Sequence, residues 1–249
     1  MKKINGTFSY KKDIGKIRNS NEDEVKVLVN AKSNVLMMVA DGMGGAKKGD
    51  FASKTTLDHL TQSFKEKNGF FSSETAKNWL IQKVKEVNSM LYNLQDSDPF
   101  YQGMGTTLVV VIIFKKKVII LNSGDSRCYF FKDGTLIQKT EDQTYVNFLY
   151  KSGQINQNEI YTHPKRHVLT NAIGLYPSVS FDINVYKYNN EGIFLCSDGL
   201  YNNVSKTSME AILNTKQSID DRVNDLINQA NYNGGSDNIS CALWESTDA

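Results

Sequence analysis

Cysteine, proline and histidine are scarce in this 249-residue chain, with three of each. The cysteines (Cys128, Cys196, Cys241) are odd in number and widely spaced. They form neither a disulfide framework nor a CxxC metal knuckle, and are expected as three buried thiols in a reducing cytosol. So few prolines argue against a long disordered linker. Long hydrophobic runs are also missing. The longest, Leu108 to Phe114, stops at Lys115-Lys116-Lys117, far short of the ~20 residues that span a bilayer. The opening Met1-Lys2-Lys3-Ile4-Asn5-Gly6-Thr7 has no apolar stretch after its lysines, so no targeting segment is read there. Charge of one sign is lacking too: 29 Lys+Arg against 27 Asp+Glu leave +2. That balance gives no general reason to expect nucleic-acid binding. Together the absences predict a soluble, cytoplasmic protein with neither a membrane nor a nucleic-acid partner.

What is present reads as a mixed fold. Strands are expected over residues 6–10, 24–28, 35–40, 106–114, 118–122, 128–132, 135–139, 179–186, 192–196 and 239–244. Asp50 and Ser73 are read as N-caps of helices ending near Lys65 and Leu94, the second carrying an apolar stripe of Trp79, Leu80, Val84, Val87 and Leu91. Further helices are expected near 207–214 and 219–230. The near-continuous apolar character of 106–114 and 118–122 predicts burial on both faces, and Asp133-Gly134 marks a hairpin turn. Residues 142–171 are polar and weakly periodic, and read as a mobile excursion with a short helix at 146–151. Strand runs separated by helix pairs predict sheet stacked on sheet with helices outside, an α+β fold. No composition break or repeat divides the chain, so a single domain over 1–249 is expected.

The chemistry sits at strand ends. Asp41 follows Val-Leu-Met-Met-Val-Ala, Asp125 follows Val-Ile-Ile-Leu-Asn-Ser-Gly, Asp198 follows Ile-Phe-Leu-Cys-Ser, and Asp237 closes Gly-Gly-Ser-Asp before the last strand. Each alone reads as turn chemistry. Four abutting buried strands can converge on one sheet edge, where unpaired carboxylates would repel and raise one another's pKa. A cation resolves the conflict, and an all-oxygen ligand set points to Mg²⁺ or Mn²⁺ rather than zinc. Arg18-Asn19-Ser20-Asn21-Glu22-Asp23 admits two readings: a solvated polar loop, or an Arg fork for a phosphate beside carboxylates.

Other phosphate and metal chemistries fail on spacing. A cysteine phosphatase needs Arg six residues after its Cys, where this chain has Gly134, Asn202 and Thr247. Asp96-Ser97-Asp98-Pro99 reads as a helix terminator rather than a phosphoaspartate motif. Gly44 to Gly49 lacks the Lys-Ser/Thr of a P-loop. Pro164 argues against a helical zinc pair from His163 and His167. His59 is expected to be exposed on its helix, and Lys115–Lys117 to form a solvated hairpin tip.

Taken in order, the motifs resemble the metal-dependent Ser/Thr protein phosphatases of the type 2C (PPM) family in its bacterial form. The resemblance rests on Asp13-x-Gly15-x-x-Arg18-x-x-Asn21-Glu22-Asp23, Val39-Ala40-Asp41-Gly42-Met43-Gly44-Gly45, Gly103-x-Gly105-Thr106-Thr107, Gly124-Asp125-Ser126-Arg127, Ser197-Asp198-Gly199-Leu200 and Gly235-Ser236-Asp237-Asn238-Ile239, spanning Thr7 to Trp244. It implies a central β-sandwich of two antiparallel sheets flanked by antiparallel α-helix pairs, in four αββα layers. It further implies that Asp41 bridges two metal ions and that the Gly42 carbonyl binds one of them. Asp198 and Asp237 would bind the other, and Glu22 would hold metal-bound water. A weaker third ion would draw on Asp125 and Asp198. Arg18 would hold the substrate phosphate, and residues 142–171 would be the family's flap.

The activity so implied is hydrolysis of phosphoserine or phosphothreonine in proteins by a hydroxide bridging Mn²⁺ or Mg²⁺ ions, opposing a Ser/Thr kinase. Two alternatives are a catalytically weak regulator that binds phosphoproteins and a phosphatase of a small phosphorylated metabolite. The sequence departs from the family pattern at Met43, Ala46 and Asn171. The first two replace histidines, leaving a metal-bound water as the expected proton donor to the leaving group. Asn171 replaces a usual Arg, with Arg166 nearby.

Overall fold

The seven apolar residues Leu108–Phe114 are all buried because their strand lies between two cores. Leu108, Val110, Ile112 and Phe114 join one apolar cluster, while Val109, Val111 and Ile113 join another. Successive side chains on a strand point to opposite faces, so a strand covered on both sides reads as an unbroken apolar run.

The computed structural model describes residues 4–44 and 48–247. In chain order, β1 (Gly6–Asp13), β2 (Asp23–Val29) and β3 (Val35–Met43) lead into α1 (Lys48–Lys65) and α2 (Ser73–Ser97). Next come β4 (Gly105–Thr106), β5 (Leu108–Phe114), β6 (Lys117–Ser123), β7 (Arg127–Lys132) and β8 (Thr135–Gln138). The excursion carries α3 (Tyr145–Lys151) and α4 (Glu159–Thr162). The chain continues through β9 (Asp182–Lys187), β10 (Gly192–Cys196), α5 (Asp198–Tyr201), α6 (Lys206–Leu213), α7 (Ile219–Tyr232) and β11 (Ile239–Ser246).

One sheet runs β1-β11-β10-β7-β8. The other runs β2-β3-β5-β6-β9, with β4 paired to β3. The pairings are antiparallel. Val35, Met37, Val39, Leu195, Ala242 and Trp244 fill the space between the sheets. On one outer face α1 and α2 pack Leu57, Leu60, Phe64, Leu80 and Val84 against Leu36, Met38 and Ala40 of β3. On the other, Met209, Leu213, Val223, Leu226 and Ile227 of α6 and α7 cover Phe194, Cys196, Cys241 and Leu243. These are the four αββα layers expected.

Several boundaries differ from the sequence reading. Asp50 lies inside the first turn of α1 rather than capping it. Ser72, not Ser73, caps α2, because its side chain and that of Thr75 close a reciprocal capping box. The expected strand 106–114 is broken at Thr107, whose N–H donates to Asp41 O at 2.8 Å and whose Oγ1 accepts from Asp41 N at 2.9 Å. The strand expected from Val179 starts at Asp182, and α5 was not anticipated. His59 is half-buried rather than exposed, with Nε2 3.2 Å from Glu86 Oε2. Asp98 does terminate α2, accepting from Phe100 N at 2.9 Å. The three cysteines are buried and unbridged. No described helix is long and apolar enough to cross a membrane.

Candidate active site

The connections at one end of the sandwich bring chemically active residues together. Asp41 sits near the end of β3 and pairs across the ladder with Asp23 of β2. Asp125 occupies the β6–β7 turn, Asp198 opens α5 directly after β10, and Asp237 lies just before β11. Arg18 and Glu22 come from the β1–β2 connection. Arg18, Glu22, Asp41, Gly42, Asp125, Asp198 and Asp237 all line one cavity of about 880 Å³. All seven residues singled out in the sequence therefore meet.

Local chemistry holds the pieces in place. The Gly42 amide donates to Glu22 O at 3.1 Å, and a Cβ at Gly42 would collide with the backbone of Gly49, so only glycine fits where α1 crosses β3. Asn238 ties the Arg18 loop to the start of β11. Its Nδ2 donates to Ile14 O and Ser20 O at 2.9 Å each, and its Oδ1 accepts from Glu22 N at 2.8 Å. Tyr201 OH donates to Asp125 O at 3.2 Å. The guanidinium of Arg127 stacks 3.4 Å from the Tyr201 ring centre and grips Asp142 from Nε at 3.0 Å and Nη2 at 2.6 Å.

The carboxylates strain against one another. Burial, reinforced by neighbouring aspartates, pushes the carboxyls of Asp41 and Asp125 well above the usual range, and that of Asp198 upward. Burial also raises Glu22, against the opposing pull of Arg18. Asp237 Oδ2 accepts from Arg18 Nη2 at 2.8 Å, and this contact raises the Arg18 pKa further. Among the described residues, no three acidic, His or Cys side chains are already drawn into a ligand cluster.

Divalent cations fit this donor set. Asp198, which lines the cavity, has an Oδ1 buried without a hydrogen-bond partner, and so has a lone pair to offer. The acids are hard oxygen donors, and no cysteine lines the cavity.

Three features were left open by the sequence. Asp23 belongs to no solvated loop: it is fully buried, accepts from Ser197 Oγ at 2.6 Å, and burial raises its carboxyl to about 7. Arg166 and His167, from the excursion, line the cavity. No local pattern announces them, since the folding of residues 142–171 onto the site is tertiary. Asn171 stays away from the cavity and is buried at the neck of the excursion, with Nδ2 donating to Gln143 Oε1 at 3.0 Å and to Ser180 O. Met43 lines the cavity, whereas Ala46 lies outside the described residues.

A strand-end cluster of buried aspartates, with an arginine at its mouth, has the chemistry to hold divalent cations beside a phosphate. Residues 17–243 match the family profile described as "Protein phosphatase 2C". The "Serine/threonine phosphatase stp" of Listeria welshimeri is 38% identical over 237 residues, covering 95% of this chain and 94% of that protein. The solved S. agalactiae serine/threonine phosphatase superposes with a TM-score of 0.91 at 33% identity, covering 96% of this chain and 99% of that one. The catalytic domain of PstP, solved in complex with two manganese ions, gives a TM-score of 0.85 at 27% identity, over 98% and 99% of the two chains. The chain belongs to the protein phosphatase 2C family and is thus a hydrolase.

Proposed function

We propose that this protein removes phosphate from phosphoserine and phosphothreonine side chains of proteins, opposing a Ser/Thr kinase, with Mn²⁺ or Mg²⁺ as cofactor. The convergence of Arg18, Asp41, Asp125, Asp198 and Asp237 on one cavity carries this reading. Asp41 would bridge two ions, one also held by the Gly42 carbonyl and the other by Asp198 and Asp237. Glu22 would act through water, and Asp125 with Asp198 would hold a weaker third ion. When bound, such cations would supply Lewis acidity, easing deprotonation of water near neutral pH and offsetting charge on the phosphoryl oxygens.

The remaining work falls to the chain itself. Arg18 presents paired donors to two phosphate oxygens. Arg166 adds positive charge at the rim beside His167, where a phosphorylated peptide enters. Positioning and electrostatics then supply most of the rate, and no covalent phosphoenzyme is required. Residues 142–171 act as the flap of a single domain spanning 1–249. The deciding experiment is dephosphorylation of a phosphothreonine peptide and of a sugar phosphate, each with Mn²⁺, Mg²⁺ or excess EDTA. Turnover of the peptide that EDTA abolishes is expected. Full turnover in EDTA rejects the metal reading, and preference for the sugar phosphate rejects the protein substrate.

A further inference from the structure

We propose a second ligand site at the opposite end of the sandwich, taking a small aromatic acid that carries an N–H donor. The site is a cavity of about 730 Å³ where the β2–β3 turn, the α1–α2 connection and the β5–β6 turn meet. It shares no lining residue with the carboxylate cavity. Asn34 sits just before β3, and Asp41 lies seven residues further along, about 23 Å away at ~3.3 Å per strand residue.

Asn34 carries the inference. It is only 6% exposed, and its Oδ1 is buried without a hydrogen-bond partner. Neighbouring Asn30 does not relieve it. Asn30 Oδ1 accepts from the amides of Lys32 and Asn34 at 3.0 Å each, and Asn30 Nδ2 is itself buried and unpartnered. A native interior seldom leaves an acceptor unmade, and here the adjoining cavity lets ordered water or a guest satisfy it. Gly69 keeps space for that guest open. A Cβ there would come within 3.2 Å of Asn34 Oδ1 and 3.1 Å of Lys32 Cγ, and its φ of +77° favours glycine.

The walls specify the rest of the ligand. Phe70 is buried and braced edge-on by Trp79 and Phe114, giving a rigid aromatic wall. Phe71 is 85% exposed at the mouth, and Lys115 Nζ donates to its carbonyl at 2.8 Å. Lys32 and Lys115 are both exposed, and among the described residues no acidic side chain lines the cavity. Inorganic phosphate would suit the lysines, but it offers no surface to the rings. A planar aromatic ring with an N–H and a carboxylate answers all three features at once.

Indole-3-acetate is the probe, titrated into ¹⁵N-labelled protein and followed by amide shifts. Two further arms are 1-methylindole-3-acetate, which lacks the N–H, and tryptophol, which lacks the charge. Saturable shifts at Lys32, Asn34, Gly69 and Phe71 are expected, with both analogues about tenfold weaker, the change that 1.4 kcal/mol brings. Asn34→Leu should abolish the preference over the N-methyl probe. The double variant Lys32→Ala/Lys115→Ala should abolish the preference over tryptophol. Both variants should keep wild-type turnover of an aryl phosphate, which reports an intact fold and a separate site. Equal affinity for the three probes, shifts confined to the carboxylate cavity, or no saturation by roughly 10 mM, a binding free energy weaker than about −3 kcal/mol, would overturn the proposal.

Discussion

Ser197 Oγ donates to Asp23 Oδ2 at 2.6 Å, joining the end of β10 in one sheet to the start of β2 in the other. The hydroxyl partly offsets the burial of a carboxyl that still titrates near 7.

Stability should therefore carry a pH signature. The Asp23 pKa is about 7 folded, against 3.8 as the reference. A raised carboxyl pKa means that the folded state binds the proton more tightly. Its cost is absent below pH 4, grows from pH 4 to 7 and is constant above. Asp23→Asn should stabilise the metal-free protein at pH 8, by as much as about 4 kcal/mol at 1.36 kcal/mol per pKa unit, and hardly at all at pH 4. Urea melts in EDTA across that range check it. An equal effect at both pH values would show that Asp23 titrates normally.

Asp41→Asn, Asp198→Asn and Asp237→Asn should each abolish most turnover while the protein stays folded. Each exchanges a charged ligand for a near-isosteric amide. If Asp41→Asn keeps more than about a tenth of wild-type kcat, a loss under ~1.4 kcal/mol, Asp41 does not bridge the ions.

Arg18→Ala should lower kcat/KM on phosphopeptides without weakening Mn²⁺ binding measured by calorimetry, since it frees Asp237 from its ion pair. Arg18→Lys should restore only part of the activity, because an ammonium cannot make the paired contact. An unchanged kcat/KM in Arg18→Ala would return Arg18 to the role of a solvated loop residue.

Asp125→Ala should retain both core ions but lose most turnover on phosphopeptides. The loss should be smaller on an aryl phosphate, whose leaving group needs little protonation. Equal losses on the two substrates at saturating Mn²⁺ would remove any part for Asp125 in proton delivery.

Arg127→Met should cost about 1–3 kcal/mol in urea melts by breaking a charged, two-pronged contact. It should also lower kcat/KM, because Asp142 roots the excursion that brings Arg166 and His167 to the cavity. A variant as stable and active as wild type would show that the neck holds without this pair.

The four aspartates were legible because strand-then-Asp punctuation is local, and a buried strand advertises its end. The layers were legible for the same reason, since unbroken apolar runs such as 108–114 require cover on both faces. Asp23 was left between a solvated loop and a carboxylate beside a phosphate because charge clusters are usually solvated, and only the register opposite Asp41 and the reach of Ser197 bury it. The break at Thr107 escaped notice because threonine favours strands, and the hydrogen bonds to Asp41 that pull it out of the ladder join residues 66 apart. Ser72 and Ser73 stand in tandem, and the choice between them fell to the hydroxyl of Thr75.

The two-faced apolar strands bear on how the chain finds its pairing. Sliding β3 against β5 by one residue would exchange Leu36, Met38 and Ala40 with Met37 and Val39, trading one greasy set for another. Burial barely penalises that error, whereas a strand with a polar face would resist it strongly. The polar ends must supply the discrimination: Asp41 locked to Thr106 and Thr107, and Asp23 facing Asp41. Thr107, which lines the cavity, and its neighbour Thr106 thus also act as alignment marks of the sheet, and a chain stripped of their hydroxyls would lose a safeguard against misthreading.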